Sequence, residues 1–103
     1  MKYIIVETTF DKLEEAKELA KLLLNEGLAA CVEVIPVESL YKWKGEIEEA
    51  KEFVVRIKTK KKLYSQLESV VLAFHSYDLP QIFALPIIKG SKAYLKWIDK
   101  ETE

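Results

Sequence analysis

One histidine, one cysteine and a scatter of carboxylates are the residues that could hold a metal ion or move a proton in this chain. His75 opens the segment His75-Ser76-Tyr77-Asp78-Leu79-Pro80, with a carboxylate three residues on. An imidazole near a carboxylate can ligate copper or zinc, or act as a pH switch. The plainer reading is a histidine at a helix end whose ring bonds a nearby carbonyl. One chain supplies too few soft ligands for a closed tetrahedral zinc site, which takes four. Leu79-Pro80 also forces extended backbone beside Asp78. Symmetric self-association would change the count, because each copy repeats the ligands.

Cys31 lies among small apolar residues in Ala29-Ala30-Cys31-Val32. Free cysteine of this kind is usually a small core hydrophobe. No cation within five residues of it in sequence favours a thiolate, so a nucleophilic role is not expected. Soft Cu(I) ligation remains open to it. Glu46, Glu48, Glu49 and Glu52 form an acidic run, read as a solvated face paired with Lys42, Lys44 and Lys51. Lys58, Lys60 and Lys61 crowd the expected start of a helix, where the macrodipole disfavours positive charge. That cluster is a candidate anion site, although no glycine-rich phosphate loop accompanies it. No Ser-His-Asp set, Cys-His-Asn set or dinucleotide fingerprint is present, so the residues give no support to catalysis.

These side chains need elements to carry them. Residues 3 to 8 are β-branched and aromatic and predict a strand. Asp11 is placed to cap a helix whose stripe is Leu13, Ala16, Ala20 and Leu23, and Gly27 suits the position past its end. Strand character returns from Ala29 to Val34, Pro36 interrupts it, and it resumes from Ser39 to Trp43. Lys44-Gly45 predicts a hairpin turn. Phe53, Val55 and Ile57 alternate with Val54, Arg56 and Lys58 as a two-faced strand does. Thr59 is placed to cap a second helix with the stripe Leu63, Leu67, Val70 and Phe74. Gln81 to Ile88 predicts a strand with Pro86 at an edge, and Ser91 is placed to cap a last helix. The order β-α-β-β-α-β-α predicts an α+β, ferredoxin-like βαββαβ sandwich with an extra C-terminal helix, one domain over residues 1–103.

The central hairpin is too long for that domain alone. Arms of about 15 residues at ~3.3 Å each reach ~50 Å, roughly twice the width of a globule this size. A long unpaired edge is an aggregation hazard, and symmetric self-association is a cheap cover for it. A homo-oligomer is therefore expected, with Tyr41 and Trp43 near the hairpin tip as interface residues.

Composition narrows the class further. The net charge of −1 does not mark a nucleic-acid binder. One cysteine rules out an intrachain disulfide framework. No apolar run approaches the ~18 residues of a membrane span, and the N-terminus lacks a cleavable-signal layout, so a cytoplasmic protein is expected. Charged residues reach 32%, and Asn25, Gln66 and Gln81 are the only amides. That bias fits a thermophilic source.

Five ordered segments resemble one family. Leu28-Ala29-Ala30-Cys31-Val32 comes first, then Ser39-Leu40-Tyr41-Lys42-Trp43-Lys44-Gly45-Glu46-Ile47-Glu48, then Ile57-Lys58-Thr59. His75-Ser76-Tyr77-Asp78-Leu79-Pro80 and Tyr94-Leu95-Lys96-Trp97-Ile98 complete the set. In order and spacing they are similar to the CutA family of divalent-cation tolerance proteins, over essentially the whole chain. The resemblance implies a homotrimer built by long hairpins, no catalysis, no required cofactor, and weak association with Cu(II) or other divalent ions. His75 and Cys31 match family positions. The family's usual His-Pro-Tyr reads His75-Ser76-Tyr77 here. Glu7 stands where copper-linked bacterial members can carry a cysteine, which weakens a Cu(I) role. The metal residues so expected are His75, Asp78, Glu7 and Cys31, with the carboxylates contributing only if self-association brings them near His75. The rival expectation is a signalling module like the nitrogen-regulatory PII proteins, with Lys58, Lys60 and Lys61 facing a small anion or nucleotide. A third is a trimeric scaffold for a partner protein.

Overall fold

The structure is a computed structural model describing residues 2–103. Its elements are β1 (Tyr3–Phe10), α1 (Leu13–Asn25), β2 (Cys31–Trp43), β3 (Glu46–Lys60), a 3-10 turn (Lys61–Leu63), α2 (Tyr64–Phe74), β4 (Ile82–Pro86) and α3 (Lys92–Glu101). The four strands form one antiparallel sheet in the order β2-β3-β1-β4. That is the ferredoxin-like order, with both long-hairpin arms on one side of β1.

The sheet has two unlike faces. Ile4, Val6, Thr8 and Phe10 of β1 share rows with Thr59, Ile57, Val55 and Phe53 of β3. On this face α1 and α2 press Leu19, Leu23, Leu67 and Val71 into a fully buried core. The opposite face carries Ile5, Glu7 and Thr9 beside Lys58, Arg56 and Val54. Phe83 and Leu85 of β4 extend it and are exposed. At one end of this face α3 is fastened: Tyr3 Oη donates to Asp99 Oδ2 at 2.5 Å, and Ile98 is fully buried.

Local signals account for the turns. The end of α1 closes with Leu28 N–H on the Leu23 carbonyl (3.0 Å) and Gly27 N–H on the Leu24 carbonyl (3.2 Å). That bond pair needs a left-handed residue, and Gly27 supplies it at φ +70°. Lys44 and Gly45 both take positive φ, 51° and 82°, the conformation of a tight hairpin turn matched to strand twist.

Three local expectations are corrected. Asp11 does not cap α1; Lys12 occupies the cap position with no side-chain bond, and Asp11 is exposed in front of it. Thr59 does not cap α2. It lies within β3, one residue before its end, where its buried hydroxyl donates to the Leu28 carbonyl at 2.7 Å. Pro36 does not interrupt β2, which runs unbroken opposite Phe53. β2 is an edge strand, where a missing ladder donor is tolerated. Ser91 does cap α3, accepting from Tyr94 N–H at 3.2 Å. β4 ends at Pro86, on the other edge of the sheet.

The long hairpin leaves the body as its length required. β3 pairs with β1 only from Phe53 to Lys60, so Glu46 to Glu52 pair with β2 alone. The molecule consequently measures 45 × 25 × 22 Å.

Candidate functional site

His75 sits at the end of α2, where the chain turns extended. Its ring lies flat on Phe10, with centroids 4.1 Å apart and planes 8° apart. Its Nε2 is 2.6 Å from the Thr9 carbonyl oxygen, so that nitrogen carries the proton and donates. Its Nδ1 accepts the Tyr77 N–H at 3.2 Å. One tautomer satisfies both bonds, and it leaves only the Nδ1 lone pair for a metal, behind a long amide contact. The histidine holds the 75–80 loop against β1.

Tyr77 carries the fold of that loop to the hairpin. Its hydroxyl donates to Glu52 Oε2 at 2.6 Å. Burial, and then the Glu52 carboxylate, raise the Tyr77 pKa well above its ordinary value, so the phenol stays protonated. Glu52 is only 7% exposed, and no lysine or arginine of the described residues pairs with it.

Between loop and hairpin lies an open concavity of about 620 Å³. Tyr41 and Trp43 of β2 and Tyr77 of the loop give it aromatic walls. Asp11, Glu48, Glu52 and Asp78 line it with carboxylates, against Lys42 as the one lining cation among the described residues. Tyr41 and Trp43, expected at an interface between copies, thus border a hollow within the chain. The largest exposed apolar side chains of the tip lie on the other hairpin face: Leu40 at 65% and Ile47 at 72%. Sequence reading missed them because an isolated apolar residue near a turn has no periodic signal; the register that sets Leu40 against Glu49 and Lys42 against Ile47 reveals the pattern.

One chain does not assemble the expected metal set. Among the described residues, no three of His, Cys, Asp and Glu lie close enough to hold an ion. Glu7 is neutralised by Arg56, which donates from Nε at 2.9 Å. Cys31 stands in the row of Lys58 and Ile5, while His75 bonds at Thr9, further along β1. Asp78 is exposed and reaches the concavity. The strand register also brings Cys31 a cation, Lys58, that sequence distance had hidden.

The lysines divide. Lys58 Nζ pairs with Glu33 Oε1 at 3.0 Å, which raises its pKa, and lies 5.9 Å from the Tyr94 ring centroid. Lys60 and Lys61 join Lys2 and Lys62 around a shallow hollow that also contains Asp99.

Residues 4–101 match the family described as CutA1 divalent ion tolerance protein. The divalent-cation tolerance protein CutA of Archaeoglobus fulgidus is 44% identical over 95 residues, 92% of this chain and 93% of that one. The solved structure of the periplasmic divalent cation tolerance protein CutA from the same organism superposes with a TM-score of 0.95 at 42% identity, covering 98% of this chain and 99% of that one. The crystal structure of CutA1 from Oryza sativa gives a TM-score of 0.96 at 38% identity, covering 100% and 95%.

Proposed function

The chain belongs to the CutA1 divalent ion tolerance family, and from that premise we propose that it works as a non-enzymatic homotrimer that binds Cu(II) or related divalent ions weakly. The observation that carries the assembly is the distal hairpin. Glu46 to Glu52 have no third strand beside them, and Leu40 and Ile47 stand exposed there. The bare sheet face adds Phe83 and Leu85. Burying one such side chain between copies contributes roughly 1.5–3 kcal/mol. Tyr41 and Trp43 sit on the same hairpin tip and border the contact.

His75 is the proposed metal ligand, through Nδ1, with Asp78 and water completing the coordination. Low affinity follows from the geometry, because the ion must displace the Tyr77 amide from Nδ1. Imidazole and carboxylate donors favour Cu(II) over Zn(II) at a site without imposed geometry. Glu7 and Cys31 enter only if a neighbouring copy brings them to the same place. We place the protein in the cytoplasm, where one unpaired cysteine stays reduced. Cell fractionation checks this. Among the described residues no helix is long and apolar enough to cross a membrane.

The lysine hollow favours a second reading, a small anion or nucleotide held by Lys60, Lys61 and Lys2. Calorimetry separates the two: heat with copper and none with nucleotide supports the first, the reverse supports the second, and neither supports a scaffold role. Light scattering at micromolar protein tests the assembly, for which the expected mass is about three times 11.9 kDa.

A further inference from the structure

We propose that the concavity between the hairpin tip and the 75–80 loop is a binding site for an organic ammonium ion, such as a polyamine or a quaternary amine. Three observations converge on that class. The walls are the rings of Tyr41, Trp43 and Tyr77, whose negative faces attract a weakly hydrated cation. Within the same hollow Glu52 is a buried carboxylate with a phenol for its partner and, among the described residues, no cation within salt-bridge reach. A buried carboxylate without a counter-ion is costly, and an ammonium group entering beside it removes that cost. Asp11, Glu48 and Asp78 keep the lining anionic against Lys42.

Size separates this ligand from a bare metal ion. The hollow, about 620 Å³, would hold many waters around a small dication, and among the described residues no three carboxylates, histidines or cysteines gather closely enough to grip one. An alkylammonium instead fills apolar space with its methylenes or methyls while its charge meets the carboxylates. The copper reading uses His75 Nδ1 behind Tyr77 and shares only Asp78 with this hollow.

The test uses the intact oligomer with Trp97→Phe, so that Trp43 is the sole tryptophan reporter. Tetramethylammonium and spermidine are titrated at low salt against tert-butanol, the uncharged counterpart of the first. The expected result is a saturable change in Trp43 fluorescence with both cations and none with tert-butanol. Glu52→Gln, which keeps an acceptor for Tyr77, and Tyr41→Leu should each weaken binding by roughly fivefold, the scale of one partly desolvated cation contact. Copper binding is measured separately on the same oligomer, and a saturable ammonium response without any copper heat still supports this proposal, so failure of the metal reading does not decide this one. No saturable response, an equal response to tert-butanol, or unaltered binding in both Glu52→Gln and Tyr41→Leu would overturn the proposal. A hollow already filled by a lysine of a neighbouring copy would give the first of these.

Discussion

Tyr77 and Glu52 are joined by a 2.6 Å hydrogen bond that ties the 75–80 loop to the base of the long hairpin. The two residues lie on separate elements, Tyr77 half-buried in the loop and Glu52 buried in β3. Tyr77→Phe removes the donor and leaves the buried carboxylate without its partner. That should cost about 1–3 kcal/mol, read as a lower denaturant midpoint with unchanged slope. The sign with pH follows from the raised Tyr77 pKa. Its stabilisation is fully present below the ordinary tyrosine value near ~10 and is lost as pH rises through the higher folded value. Tyr77→Phe should therefore show a flatter alkaline stability profile than the wild type.

In the proposed assembly the two faces of the hairpin carry unequal weight. Ile47→Lys, alone or with Leu40→Asp, should shift the mass measured by light scattering toward the monomer. Trp43→Ala should weaken the oligomer less, because Trp43 is half covered by its own chain. A Trp43→Ala protein that dissociates while Ile47→Lys stays assembled would reverse the assignment of the faces.

Acid should loosen α3. Asp99 accepts from Tyr3, which is the main reason its pKa is lowered, and it also pairs with Lys2 at 3.2 Å. A depressed carboxylate contributes stability above its unfolded pKa and loses it as pH falls through the folded one. The Trp97 fluorescence of α3 should stay constant from neutral pH down to ~4 and change below it. Asp99→Asn should remove that transition.

The charged, amide-poor composition implies a heat-stable protein. Its melting midpoint should exceed the ~45–65 °C typical of mesophile domains. A midpoint inside that interval would sink the thermophilic reading.

Much of the fold was legible because it is written in period and punctuation. The alternation around Phe53, Val55 and Ile57 marked the two-faced strand, and Gly27, Lys44-Gly45 and Ser91 marked turns that the backbone confirms. The strand length alone announced a hairpin beyond the domain. Caps were less legible, because Asp11 and Thr59 have the right side chains in positions that tertiary pairing claims for other uses. Thr59 bonds Leu28, which is distant in sequence. The site was least legible. That His75 stacks on Phe10 and bonds Thr9 depends on β1 meeting the end of α2, and that Tyr77 reaches Glu52 depends on the 75–80 loop meeting β3, 25 residues away in sequence. Neither has a local sequence signal. The Lys58 to Lys62 run looked like one cluster, but Lys58 pairs across the sheet with Glu33 of β2, while Lys60, Lys61 and Lys62, at the end of β3 and in the turn after it, surround the hollow with Lys2 and Asp99.

Copper titration of the intact oligomer tests the central claim most directly. Wild type and His75→Ala are compared by calorimetry at neutral pH, with the mass of each checked in the same buffer. The account predicts weak, saturable Cu(II) binding to the wild type, at least about tenfold weaker in His75→Ala, as expected for loss of an imidazole ligand or its supporting partner. Equal Cu(II) affinity in two oligomers of equal mass would contradict it and remove His75 from the metal site.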